Sequence, residues 1–173
     1  MSTVGGGVMR VIGEGFGHSV LDIRAVVFST TSSSISSSSV TFVSSFELLA
    51  ASPPGVGTVE VSVLSSMGLI SNQVSVSYAA PSITSVTPGH LVLGEVARVM
   101  INGTNFGLTE DDIGSLYNDY EWSSLQLRVR APPGVGAIGV QVVTKGGRRS
   151  SHLNITYDPP EVLSATPSYL LAG

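Results

Sequence analysis

The sequence predicts an all-β protein made of two small sandwiches in tandem, and three observations carry that prediction. The first is self-similarity. Pro53-Pro54-Gly55-Val56-Gly57 recurs as Pro132-Pro133-Gly134-Val135-Gly136, and Tyr78, Pro81, Pro88 and Gly94 recur as Tyr157, Pro160, Pro167 and Gly173, all at an offset of 79 residues. A fixed period of this size marks one small domain copied in a row. The second is composition. Charged residues make up 12 % of the chain, about half the usual share, and Ser, Gly, Val, Thr and Pro fill the space, as in short strands joined by tight turns. The third is period-two alternation of apolar residues between turn signals.

The strands are read in order from that alternation. Val59, Val61 and Val63 share one face, with Glu60 and Ser62 on the other. Val74, Val76 and Tyr78 alternate with Ser75 and Ser77, and their counterparts Leu153, Ile155 and Tyr157 alternate with Asn154 and Thr156. Leu125, Leu127 and Val129 form another inward set, as do Ile138, Val140 and Val142. The only helical feature expected is one short turn within Leu108 to Tyr117. The Pro-Pro-Gly-Val-Gly corner fixes one dihedral and frees another, giving a set bend between strands.

The copies differ in two places. Val8 to Gly17 matches Arg98 to Gly107 at an offset of 90, and the eleven-residue difference falls in the Ser-rich stretch Ser29 to Ser39. Such an insertion belongs in a surface loop or at an edge, where length is cheap. Pro81 to Gly94 is the opening strand of the second copy. By the offset, Gly94 corresponds to Val4, so the first copy is expected to lack that strand, while residues 160–173 are a spare one. The expected division is therefore 1–80, 81–159 and 160–173. Two explanations stand side by side: a slice of a longer array, or a tail that completes the first copy of a neighbouring chain. The second would bury Val162, Leu163, Leu170 and Leu171.

Bulk properties exclude several classes. Net charge is −4, and the one basic cluster, Lys145 to Arg149, lies between alternating strands and reads as a solvated hairpin tip. No nucleic-acid partner is expected, nor direct membrane insertion, since no apolar run approaches ~20 residues. Cysteine is absent, which removes disulfides and thiolate chemistry.

Several motifs together resemble the IPT/TIG domain, an immunoglobulin-like fold of plexins, fibrocystin-like surface proteins and Rel-type transcription factors. They are the Pro81, Ile83 and Pro88 spacing, Gly94, the run Ile101-Asn102-Gly103-Thr104-Asn105-Phe106-Gly107, the Pro132 to Gly136 corner and the closing Tyr157. The first copy departs by having Gly15 where Asn105 stands. The resemblance covers nearly the whole chain and implies tandem immunoglobulin-like β-sandwiches. It supplies a fold, not a chemistry.

No catalytic, cofactor or metal site is expected. His18, His90 and His152 fall at non-equivalent places without ligand spacing, and no strained nucleophile turn or phosphate loop occurs. Glu110-Asp111-Asp112 could offer oxygen ligands to calcium but reads as a solvated acidic loop. Asn102-Gly103-Thr104 and Asn154-Ile155-Thr156 are acceptor sequons whose asparagines alternate outward. Trp122 with Tyr117 and Tyr120 could form a sugar-stacking patch, against the plainer reading that Trp122 caps one sandwich. The joints Tyr78 to Pro81 and Tyr157 to Pro160 are short and Pro-containing, hence stiff. The expected role is a structural or adhesive module of an extracellular filament, ciliary or cell-surface coat, assembling head to tail, its partners being copies of itself, adjacent repeats, surface proteins or glycans. The alternatives are a receptor ectodomain, a carbohydrate-binding accessory module and, less favoured, a Rel-type dimerisation domain.

Overall fold

The computed structural model describes residues 1–92, 96–114, 120–164 and 166. The first half holds seven strands: β1 (Val8–Ile12), β2 (Ile23–Ser29), β3 (Ser34–Ser36), β4 (Val40–Ser44), β5 (Glu47–Ala51), β6 (Thr58–Ser65) and β7 (Val74–Ser77). They form two sheets, β1-β5-β4 and β3-β2-β6-β7, with every pairing antiparallel. The second half holds β8 (Ser82–Thr87), β9 (His90–Leu91), β10 (Arg98–Thr104), β11 (Tyr120–Ser123), β12 (Gln126–Arg130), β13 (Ala137–Val140) and β14 (Leu153–Tyr157). Its sheets are β11-β12-β10-β8 and β13-β14-β9, where only the short β14–β9 pair is parallel. The protein is thus an all-β molecule of the immunoglobulin-like sandwich class.

Each half closes over its own core. Val26, Phe28, Leu48, Val61 and Tyr78 anchor the first, and Leu91, Ile101, Phe106, Leu127 and Ile155 the second. The inward set on β6 follows the alternation: Val59, Val61 and Val63 are all buried. Ser62, expected outward, is buried as well. β6 is a central strand between β2 and β7, so its small side chains are shaded by neighbours even on the outer face. Val74 departs further, at 58 % exposed, because β7 is an edge strand. Leu125 is exposed too; it sits in the turn between β11 and β12 rather than in a strand. In the inward set Ile138, Val140 and Val142 only Val142 is fully buried, and Ile138 and Val140 are half-buried.

The Ser-rich insertion lies at an edge, as its composition demands. β3 is its only regular piece, wholly exposed and paired to β2 through Val27–Ser36 and Ser29–Ser34. The expected helical turn appears as a single 3-10 turn at Glu110–Asp112. A second one, Val20–Asp22, occupies the matching place in the first half.

Outer faces carry sparse charge. Arg10 meets Glu47 across β1 and β5 at 2.7 Å, and Glu121 takes both Arg98 (3.0 Å) and Arg128 (3.2 Å). These pairs are open to solvent, where water and salt screen them, so they contribute little to stability. No helix among the described residues is long and apolar enough to cross a membrane.

Candidate functional site: an uncovered sheet edge and a propped joint

The repeated corner is an aromatic clamp. The Tyr78 hydroxyl donates to the Pro53 carbonyl at 2.8 Å in a buried setting, and the Tyr157 hydroxyl donates to the Pro132 carbonyl. Each ring lies flat on a glycine: a Cβ at Gly55 would sit 2.9 Å from the Tyr78 ring, and one at Gly134 2.9 Å from the Tyr157 ring. Gly57 and Gly136 then turn the chain with φ of 80° and 75°, a conformation side chains resist. Burial pushes the Tyr78 hydroxyl pKa up, because the phenolate would lose water there.

The acidic loop is also structural. The Asp112 carboxylate accepts from the Leu108 N–H (2.8 Å), the Thr109 N–H (3.0 Å) and the Thr109 hydroxyl (3.3 Å). Asp22 does the same for the His18 and Ser19 amides, at 2.8 and 3.1 Å. Those two amide donors hold the Asp22 pKa below the ordinary carboxylate value. Asp22 is therefore the first half's equivalent of Asp112. Both carboxylates cap a 3-10 turn rather than face outward for calcium. The departure at Gly15 is likewise explained: Gly15 has φ 74° and Asn105 has φ 60°. The site demands left-handed backbone, which Gly and Asn supply most readily.

The joint is tied at two places. In the linker, the Ala79 N–H donates to the Met1 carbonyl at 2.6 Å, Pro81 is buried, and the Asn105 side-chain amide reaches the Ala80 carbonyl at 3.4 Å. Away from the linker, the hairpin tip bearing Lys145 and Gly146 rests on the first half's corner. A Cβ on Gly57 would lie 2.8 Å from the Gly146 Cα, so two main chains touch with no side chain between. The tip touches the first half through its Gly146 main chain, where the absence of a Cβ lets it approach, while Lys145 and Arg149 stay exposed to solvent as expected. A crevice of about 650 Å³ beside this contact is lined by Thr30, Thr31, Ser32, Ser33, Tyr78 and Lys145, among others.

The sheet edge is where the halves differ. In the second half β8 pairs with β10 and touches β14, and with β8 in place Val99, Ile101 and Ile155 are at most 1 % exposed. Their counterparts in the first half are Met9, Val11 and Val76. All three pack on the core yet stay only half-buried. They line a groove of about 180 Å³ between β1 and β7, together with Gly13 and Phe16. The first half does not lack the whole opening segment, however. Met1 accepts from the Ala79 N–H as Leu91 accepts from the Asp158 N–H (2.8 Å), so Met1 takes the part of Leu91 and only the strand before it has no counterpart among the described residues.

The expected site residues fall as follows. Asn102 has its side-chain amide engaged at both ends, donating to the Ser85 hydroxyl (3.0 Å) and accepting from the Gln126 amide (2.9 Å). Asn154 is exposed on β14. Val162 and Leu163 are 83 % and 87 % exposed and Pro160 is exposed; Leu170 and Leu171 lie outside the described residues. Tyr78 and Tyr157 are core residues as well as joint residues. Trp122 is half-buried against the core with its indole N–H buried, as a cap would be. Tyr117 and the side chain of Tyr120 lie outside the described residues. His90 bonds the Thr156 hydroxyl at 2.8 Å, linking β9 to β14. The Gly57–Gly146 contact was missed at the sequence level, where nothing local signals it, whereas an open edge at β1 follows from the strand the first copy was expected to lack.

No known family profile and no curated protein matches this chain. Among solved structures, it is similar to the Bacteroides ovatus mixed-linkage glucan utilization locus SGBP-B in complex with a mixed-linkage heptasaccharide: 14 % identity, 88 % of this chain, 43 % of that one, TM-score 0.35. SGBP-B from a complex xyloglucan utilization locus of Bacteroides uniformis gives 18 % identity over 90 % of this chain and 46 % of that one, TM-score 0.37. The plexin A4 extracellular region gives 14 % over 88 % and 26 %, TM-score 0.36. The chain thus spans less than half the length of each, and likeness this loose leaves the function to be argued from the chain itself.

Proposed function

We propose that this chain is a non-catalytic binding and spacing module of a surface-exposed or extracellular protein, built from two copies of one IPT/TIG-like sandwich. The observation that carries the reading is the propped joint. Two separately closed cores meet through a short buried linker and a main-chain contact at Gly57 and Gly146. A second, off-axis contact has no use in a flexible tether; it sets the direction of one sandwich relative to the next. The polar groups that sequence reading flagged for chemistry are spent on structure, Asp112 in a turn and His90 in a strand contact. Partners of such a module are adjacent repeats, copies of itself or surface proteins, and the net charge of −4 disfavours nucleic acid.

The test is orientation. Residual dipolar couplings on the intact chain should fit one relative orientation of the halves. Gly146→Val, which puts a side chain where the Gly57 backbone lies, should spread that orientation while each half keeps its own amide protection. Free tumbling of the halves in the unmutated chain would defeat the reading.

A second reading, glycan binding, is favoured by the crevice beside the joint. Its volume falls within the range of small-ligand sites, and Thr30, Thr31, Ser32, Ser33 and Lys145 present hydroxyl and ammonium groups suited to a polyol. Titration with β-glucan and xyloglucan oligosaccharides, monitored at Thr31 and Lys145 amides, decides it; unchanged spectra at millimolar sugar dismiss it.

A further inference from the structure

The groove between β1 and β7 has the chemistry of an open strand site. The Gly13 N–H donates to the Phe46 carbonyl in the turn leading into β5, and the Ser52 N–H just past β5 donates to the Gly7 carbonyl, so residues 7 and 13 face β5. Since main-chain groups alternate sides along a strand, those of Val8, Arg10 and Ile12 face away from β5. No described residue pairs with that side of β1. Beneath it, Met9, Val11 and Val76 are apolar and only half-covered, whereas their counterparts under β8 are sealed. An edge with free N–H and C=O groups next to uncovered apolar surface is the arrangement that accepts an added strand.

The chain carries a segment written like β8. Pro160-Glu161-Val162-Leu163-Ser164-Ala165-Thr166-Pro167 repeats the pattern Pro81-Ser82-Ile83-Thr84-Ser85-Val86-Thr87-Pro88, keeping both prolines, Ser164 for Ser85, Thr166 for Thr87 and an apolar residue for Ile83. Ile83 is the buried anchor of β8. Its counterpart Val162 is 83 % exposed, and Leu163 beside it 87 %. Among the described residues, an exposed apolar segment thus coexists with an open strand edge.

We propose that the 160–167 segment of one molecule adds to β1 of a second copy, filling the groove as β8 fills the equivalent place in the second half. The proposal rests on the two-copy reading above. The register follows from the β8–β10 ladder, in which Gly103 faces Ile83, Asn102 faces Ser85 and Met100 faces Thr87. Transferred, Val162 lies opposite Gly13, Ser164 opposite Ile12 and Thr166 opposite Arg10. Val162 enters the core near Phe16, and Arg10 stays on the outer face with Glu47. The same register brings Glu161 beside Glu14. The contact is head-to-tail, joining unlike surfaces, so it propagates rather than closing on itself.

The experiment uses the full chain in two forms. Unmutated protein, followed by sedimentation equilibrium, should rise in mean mass with concentration beyond a dimer. Full-length Val162→Asp, altered at an exposed position, should fold normally and stay monomeric. That monomer still has an open groove, so a labelled peptide of residues 160–173 should bind it, with protection of the Arg10 and Ile12 amides. The peptide carrying Val162→Asp should bind about tenfold more weakly or worse, since burying a Val-sized side chain is lost. A Glu161→Lys peptide should bind more tightly than the unmutated one, as it opposes Glu14. Three results overturn the proposal: no peptide binding by the Val162→Asp chain, binding that protects amides elsewhere than β1, or protection of Arg10 and Ile12 in the unmutated chain that is complete and independent of dilution, which would mean the tail closes on its own β1. None of these touches the joint orientation, so failure here leaves the spacing-module reading standing.

Discussion

Tyr78→Phe isolates the corner clamp. The substitution removes one oxygen from a side chain that is 1 % exposed and deletes the 2.8 Å bond to the Pro53 carbonyl. Pro53 is itself buried, so its carbonyl is left without a partner or with a poorly placed water. Leaving a buried acceptor unsatisfied costs about 1–3 kcal/mol. In a unit of this size each kcal/mol moves the melting temperature by about 4–8 °C. Urea unfolding of the first half, followed by amide signals of Val26 and Leu48, should therefore shift to lower midpoint with an unchanged slope. The same variant carries a pH signature. Burial raises the folded-state pKa of Tyr78 above its unfolded value near 10. Its contribution is then fully present below that pH and is lost as pH rises through the folded pKa, because the unfolded chain ionises first. Tyr78→Phe should remove that alkaline loss while lowering stability at pH 7. A destabilisation under about 0.5 kcal/mol at pH 7 would refute the clamp as described.

Three further outcomes are expected. Ile101→Ala, at a fully buried site, should cost about 2–5 kcal/mol, whereas Val11→Ala at the matching but uncovered site should cost less than half as much; both are read by denaturant midpoints. Asp22→Asn should shrink the acid-side loss of stability: the native carboxylate is held below its ordinary pKa by the His18 and Ser19 amides, so its contribution is present above the unfolded pKa and disappears as pH falls through the folded one. Expression through a secretory host should place glycan on Asn154 and not on Asn102, whose amide is held by Ser85 and Gln126; peptide mass mapping reads the occupancy.

Much of this architecture was legible because its rules are local. Alternation placed Val59, Val61, Val63, Ile155 and Tyr157 in the core, and the Ser-rich stretch went to an edge because its composition can go nowhere else. The misplaced strand residues share one cause: alternation says which face a side chain takes, not whether that face is covered. Val74 and Leu125 obey the period and are still exposed, one on an edge strand and the other in a turn. The role of Asp112 was missed although it closes a Thr109-x-x-Asp112 capping box, matched by Ser19-x-x-Asp22, because the acidic run around it drew the reading toward solvent. The contact of Gly57 with Gly146 involves residues without side chains, in a chain that has twenty glycines, so nothing distinguished this pair from the rest.

That contact works as a doorstop. Bending the two halves toward it compresses main chain against main chain, while bending them the other way is opposed, among the described residues, by the linker and its Asn105–Ala80 hydrogen bond. The two halves would therefore flex more readily in one sense than in the other.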